Sequence, residues 1–192
     1  MPKKLWEPSK ALIKNSNLFQ YEKFVSKNYK YNFSGNYKKL LDWSIKNPKD
    51  FWNSVWNYFE IIGENTNKFK LAKDLISSKF FVNSKLNFVE NLLIKNSNQK
   101  AITFVSENGY REQKSWKELN IEVKKIITFY KKINISEKDR IAAYTPNQIE
   151  TVECFLSASA TGSIWSSCSP DFGVPGVIAV SYTHLTLPTI LP

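Results

Sequence analysis

A strand–helix–strand grammar between Arg140 and Cys168 constrains this chain more than any other feature. Arg140-Ile141-Ala142-Ala143-Tyr144 is a short β-prone run closed by Thr145-Pro146-Asn147. Ile149, Val152, Phe155 and Leu156 then recur at helical spacing until Gly162 stops the helix, and Ile164-Trp165-Ser166 reads as the next strand. A helical crossover of that length joins strands that run parallel, with a right-handed connection. Residues 145–147 and 167–170 then open as loops on one rim of the sheet. That is the carboxyl rim, where α/β proteins hold their ligands. The second loop belongs to the run Gly162-Ser163-Ile164-Trp165-Ser166-Ser167-Cys168-Ser169-Pro170-Asp171-Phe172-Gly173. Its small hydroxyl side chains leave room for a ligand to approach the backbone closely.

Upstream the grammar differs. Residues from about Pro8 to Asn98 read as helical with aromatic-rich faces. Asn47-Pro48 is a helix start, since proline at the first helical position gives up a donor that has no partner there. Phe51, Trp52, Val55, Trp56, Phe59 and Ile62 follow at helical spacing as a core stripe that Gly63 ends. Leu86, Phe88, Val89, Leu92 and Leu93 form a second helical pattern, with Lys79-Phe80-Phe81-Val82 as an irregular connector between the two. Ala101 to Val105 is a β-prone run, Asn108-Gly109 the strongest short hairpin signal, and Tyr110 to Lys114 the returning strand. Ser115-Trp116-Lys117-Glu118 fits a capping box that opens a helix carrying Leu119, Val123, Ile126, Ile127 and Tyr130. The fold class is therefore α/β: a helical region over 1–98, then a β-hairpin and βαβ unit starting a parallel-sheet domain over 99–179.

Charge and composition exclude several classes. The 42% hydrophobic and 15% aromatic content belongs to a globular chain, not a disordered one. The net charge of +10 suggests a small basic nucleic-acid-binding module. Against it, only Arg111 and Arg140 are arginines among 27 basic residues, and arginine is the residue suited to bidentate phosphate and base contacts. Lysines scattered among asparagines and isoleucines form a solvated surface, so no nucleic-acid partner is expected. No window approaches the ~20 apolar residues of a membrane span. Met1-Pro2-Lys3-Lys4-Leu5-Trp6 lacks the apolar core of a secretory signal, which points to a cytoplasmic protein with no membrane partner.

The last residues break the pattern. After Asp171 there is no charged side chain, and the run from Val180 to Thr189 matches the translation of a sequencing-adapter end. Residues 180–192 are therefore expected to be a non-native tail, with the natural sequence leaving off near Ile178 or Ala179. The only histidine, His184, falls in this tail, so Cys-His and Ser-His schemes have no base.

The remaining residues show no catalytic constellation. The six glycines form neither a G-x-x-x-x-G-K-[ST] loop nor G-x-G-x-x-G. Cys154 and Cys168 have no metal or redox spacing; Cys154 reads as packing and Cys168 as an inert small side chain. Asp171, after Ser169-Pro170, reads as a helix cap. No catalytic or metal-ligating residue is assigned.

Several stretches resemble the N-terminal part of the acetoacetyl-CoA synthetases, a family of adenylate-forming acyl-CoA ligases. They are Leu5-Trp6-Glu7-Pro8, Asn47-Pro48-Lys49-Asp50-Phe51-Trp52, Leu86-Asn87-Phe88-Val89-Glu90-Asn91-Leu92-Leu93, Asp139 to Tyr144 with Pro146-Asn147, and the run through Gly173. Acetyl- and propionyl-CoA synthetases resemble the last run in position but carry Gly-Gly where this chain has Ser166-Ser167. Phe80-Phe81-Val82-Asn83 departs from the family's Phe-Pro-Asp-Ala-like segment. The resemblance implies AMP-forming ligation of acetoacetate to CoA with ATP and Mg2+, and small-molecule partners only. An acetyl, propionyl or other short-chain acyl substrate is the alternative. It also places Trp165, Ser166 and Ser167 near CoA. The family's phosphate loop, adenosine-binding residues and C-terminal lysine have no counterpart in these 192 residues, so the chain by itself is expected to be inactive.

Overall fold

Side-chain caps set where the N-terminal helices begin. In the computed structural model, which describes residues 5–182, Ser9 Oγ accepts the Leu12 N–H at 3.2 Å and opens α1 (Lys10–Lys14). Ser16 does the same for α2 (Asn17–Tyr29) through Phe19 N–H, also at 3.2 Å. Asn36 Oδ1 takes two amides, Lys38 and Lys39, at the start of α3 (Tyr37–Lys46). Each cap satisfies a donor that the first helical turn leaves unpaired. Pro48 sits in the first turn of α4 (Pro48–Tyr58), as its sequence context predicts.

The chain divides into two compact units, one ending at Lys85 and the other starting at Leu86. In the first, Tyr21, Val25, Phe33, Leu40 and Trp43 form the buried core. Trp43 stands edge-on to Tyr29, Phe33 and Phe51 at centroid separations of 5.9, 5.6 and 6.4 Å. Burying side chains such as Phe33 and Val25 contributes about 1.5–3 kcal/mol each.

Two expectations fail in this unit. The helix begun at Pro48 ends at Tyr58, well short of Gly63. Ile61 N–H donates to Trp56 O at 3.1 Å and Glu60 N–H to Asn57 O at 3.3 Å, a Schellman pattern that puts Glu60 in the left-handed region (φ 50°). Nor are the tryptophans of α4 core. Trp52 is 39% exposed, and the buried residue of the helix is Ser54, whose hydroxyl meets Tyr21 Oη at 2.6 Å. Trp52 and Trp56 instead flank the irregular segment, with rings 5.8 Å from Phe80 and 4.9 Å from Phe81.

The helical reading of 8–98 also overreaches. Residues 59–87 contain no helix and only two isolated bridges, Glu64↔Lys85 and Lys70↔Lys79. Polar side chains there bind the backbone locally: Thr66 Oγ1 donates to Val82 O, Ser78 Oγ accepts from Ala72 N–H, and Asn65 Oδ1 accepts from Asn67 N–H. Such bonds compete with helix, and Asn67, Phe81 and Asn83 take positive φ.

The second unit opens with α5 (Phe88–Leu92). Asn87 caps it through Val89 and Glu90 amides, while Asn87 Nδ2 donates to Ser159 O and Ala160 O. One amide side chain thus satisfies the start of one helix and the end of another. β1 (Lys100–Val105) and β2 (Arg111–Ser115) form the expected antiparallel hairpin. Its turn is not a two-residue I′ turn, since only Gly109 has positive φ and its amide closes onto Ser106 O at 3.0 Å. The capping box of Ser115 and Glu118 opens α6 (Trp116–Lys132) as read. Then come β3 (Arg140–Tyr144), α7 (Ile149–Ala160), β4 (Ile164–Cys168) and α8 (Val174–Ser181). Val89, Leu119, Val123 and Leu156 form the core beneath them. The residues of the expected tail beyond Tyr182, His184 among them, lie outside the described residues.

Candidate functional site

β3 and β4 pair in parallel, with Arg140 opposite Ile164 and Tyr144 opposite Cys168. Their carboxyl ends share one rim, the arrangement that the crossover grammar requires. The rim is knitted by hydrogen bonds. Thr145 N–H donates to Cys168 O at 3.1 Å, extending the ladder past the strands. Thr151 Oγ1 in the first turn of α7 donates to Pro146 O at 2.8 Å and meets Thr145 Oγ1 at 2.8 Å. Tyr144 Oη donates to Pro170 O at 2.7 Å and lies 3.3 Å from Phe172 O.

The residues singled out from sequence fall differently from expectation. β4 runs to Cys168, so Ser167 lies in the strand and the loop begins at Ser169. Alternation then sends Trp165 and Ser167 to one face and Ser166 and Cys168 to the other, so the two serines do not face one point. Trp165 stands edge-on to Phe155 of α7 at 6.4 Å. Ser167 is exposed, Ser166 half-buried and Cys168 buried. Asp171 is no helix cap. Gly173 holds that position for α8, and Asp171 instead turns back on Ser169, accepting from its Oγ at 2.8 Å and donating its own amide to it at 3.3 Å. An ST-type turn thus consumes the carboxylate, with Phe172 N–H closing it onto Ser169 O.

Burial pushes the Cys154 thiol up, against a smaller opposing hydrogen bond from Tyr130. Tyr130 itself is pushed up to about 12, first by burial and then by Cys154. Lys114 Nζ lies 2.6 Å from the buried Glu153 carboxylate and ties β2 to α7. Burial acts to lower the Lys114 pKa, but the bond to Glu153 outweighs it and holds the amine above its ordinary value. Sequence reasoning missed this pair and the Tyr144 tether, because both join groups far apart in the chain. Among the described residues no three His, Cys, Asp or Glu side chains group as a metal site. Among the same residues no helix is long and apolar enough to cross a membrane.

The model of the acetyl-coenzyme A synthetase N-terminus matches residues 37–92. The acetoacetyl-coenzyme A synthetase of Rhizobium meliloti is 33% identical over 91% of this chain, and that of Xenopus tropicalis 33% over 92%. The chain spans about a quarter of the length of these curated relatives, 27% and 26%. Acetoacetyl-CoA synthetase from Streptomyces lividans superposes with a TM-score of 0.81 over 92% of this chain and 28% of that one; at 23% identity this shows a common fold. The chain therefore belongs to the adenylate-forming acyl-CoA synthetases. Within them it stands with the acetoacetyl-CoA synthetase family, as a region that includes the N-terminal module.

Proposed function

We propose that this chain is the N-terminal region of an AMP-forming acetoacetate–CoA ligase. In that reaction an acetoacetate oxygen attacks the α-phosphorus of ATP and expels pyrophosphate. The CoA thiol, losing its proton, then attacks the acyl carbonyl and AMP leaves. The similarity to acetoacetyl-CoA synthetases across nine-tenths of the chain supports this assignment most directly. The N-terminal match to a model named for acetyl-CoA synthetase favours acetate as the second candidate acid. Trp165, Ser166 and Ser167 are assigned to the vicinity of CoA, where the exposed Ser167 hydroxyl at the rim suits a polar pantetheine or nucleotide group.

Triphosphate charge calls for cationic partners, and the rim loops 145–147 and 167–173 carry hydroxyls and Asp171 but neither lysine nor arginine. The 192-residue chain is therefore expected to show no ATP–pyrophosphate exchange with acetoacetate, and exchange above background would overturn that. An enzyme of the relatives' length carrying this region should exchange with acetoacetate in preference to acetate or propionate. Preference for acetate would move the assignment to the other branch.

A further inference from the structure

The geometry points to Tyr144 as a positioning residue that holds the loop after β4 in its rim conformation, and with it the surface assigned above to CoA. This deepens the proposed function and rests on it for the identity of the ligand. Tyr144 is 58% exposed, so it is not placed there to fill a core. Its hydroxyl is nevertheless engaged, donating to Pro170 O at 2.7 Å with Phe172 O a further 0.6 Å away, at 3.3 Å. These two carbonyls bracket the turn in which Asp171 and Ser169 bind each other. The main chain is gripped just beside it, where Thr145 N–H meets Cys168 O.

The loop has few other restraints. Its other hydrogen bonds among the described residues are internal: Phe172 N–H to Ser169 O, Asp171 N–H to Ser169 Oγ, and Ser169 Oγ to the Asp171 carboxylate. Those bonds shape the turn but do not fix it against the sheet. The phenol does so by reaching across from the neighbouring strand, and it sets where β4 hands over to α8. A rim that is fixed before a ligand arrives loses less ordering entropy when it binds.

Tyr144→Phe in the 192-residue chain removes the hydroxyl and leaves the ring. Hydrogen exchange of the Asp171, Phe172 and Gly173 amides should rise about threefold to tenfold, the weight of one hydrogen bond. The amides of Ile141 to Ala143 and the melting midpoint should not move. Unchanged loop exchange, or a loss of protection spread across β3 and α7, overturns the tether. CoA itself, titrated into both proteins by NMR, gives the second readout. Affinity should fall severalfold in Tyr144→Phe, and an equal affinity with a loosened loop overturns the positioning role. If the unsubstituted chain shows no CoA-dependent shift at Trp165 to Ser167, the CoA assignment fails and exchange alone decides the tether.

Discussion

Tyr130 shows how a single residue acquires a property that its position in sequence does not announce. It sits on the α6 stripe with Leu119 and Val123, and its hydroxyl is carried inward against Cys154. The ordinary phenol value is 10 and the folded one about 12. Because the folded value is raised, the contribution to stability is complete below pH 10 and is lost as pH climbs toward 12. Alkaline unfolding should therefore steepen between pH 10 and 12, and Tyr130→Phe should flatten that part of the stability–pH curve. Parallel curves for the two proteins would show that the phenol stays accessible to solvent in the folded state. Cys154 follows the same logic: with its thiol pushed up by burial, it should resist alkylation at neutral pH.

At the scale of elements, ends matter as much as faces. α4 and α7 both finish in Schellman patterns, but with different residues at the left-handed position. α7 has Gly162 at φ +75°, with its carbonyl accepting Lys138 N–H at 3.0 Å. A Cβ at Gly162 would come 3.1 Å from Glu137 Cγ, so alanine is disfavoured there by backbone and by contact. α4 has Glu60 at φ 50° instead. A left-handed residue with a Cβ costs about 1–2 kcal/mol, partly offset in glycine by its freer unfolded chain. Glu60→Gly should therefore stabilise the first unit by about 1 kcal/mol, read as a higher midpoint in denaturant. A fall in the midpoint would mean that the Glu60 side chain itself holds the helix end.

At the scale of the molecule, apolar surface left uncovered beside the parallel strands bears on how firmly the second unit holds. The second exposes Tyr144, Ile164, Phe172, Val174, Ile178 and Tyr182 around a two-stranded parallel ladder. Parallel strands are ordinarily covered on both faces, and a lone pair is weak. Hydrogen exchange should therefore rank β3, β4 and α8 at least tenfold less protected than α6, whose Leu119 and Val123 are buried. The chain should also self-associate as concentration rises, as measured by sedimentation. Equal protection across the unit, with a monomer at all concentrations, would contradict both expectations.

Local chemistry alone determined much of this protein. The capping box at Ser115 and Glu118, the hairpin around Gly109, the proline start of α4, and the parallel sense of β3 and β4 all follow from residues a few positions apart. In each, the interacting groups are neighbours in the chain or are joined by one short crossover, so spacing carries the information. Tertiary structure alone decided that Trp52 and Trp56 flank an irregular segment, that Asn87 ties two helices together, and that Lys114 reaches Glu153. It also placed the Tyr144 hydroxyl on the carbonyls of Pro170 and Phe172, and split Ser166 from Ser167 across the two faces of a strand. Those outcomes depend on which distant surfaces meet, and helical or strand periodicity is silent about the partner on the other side.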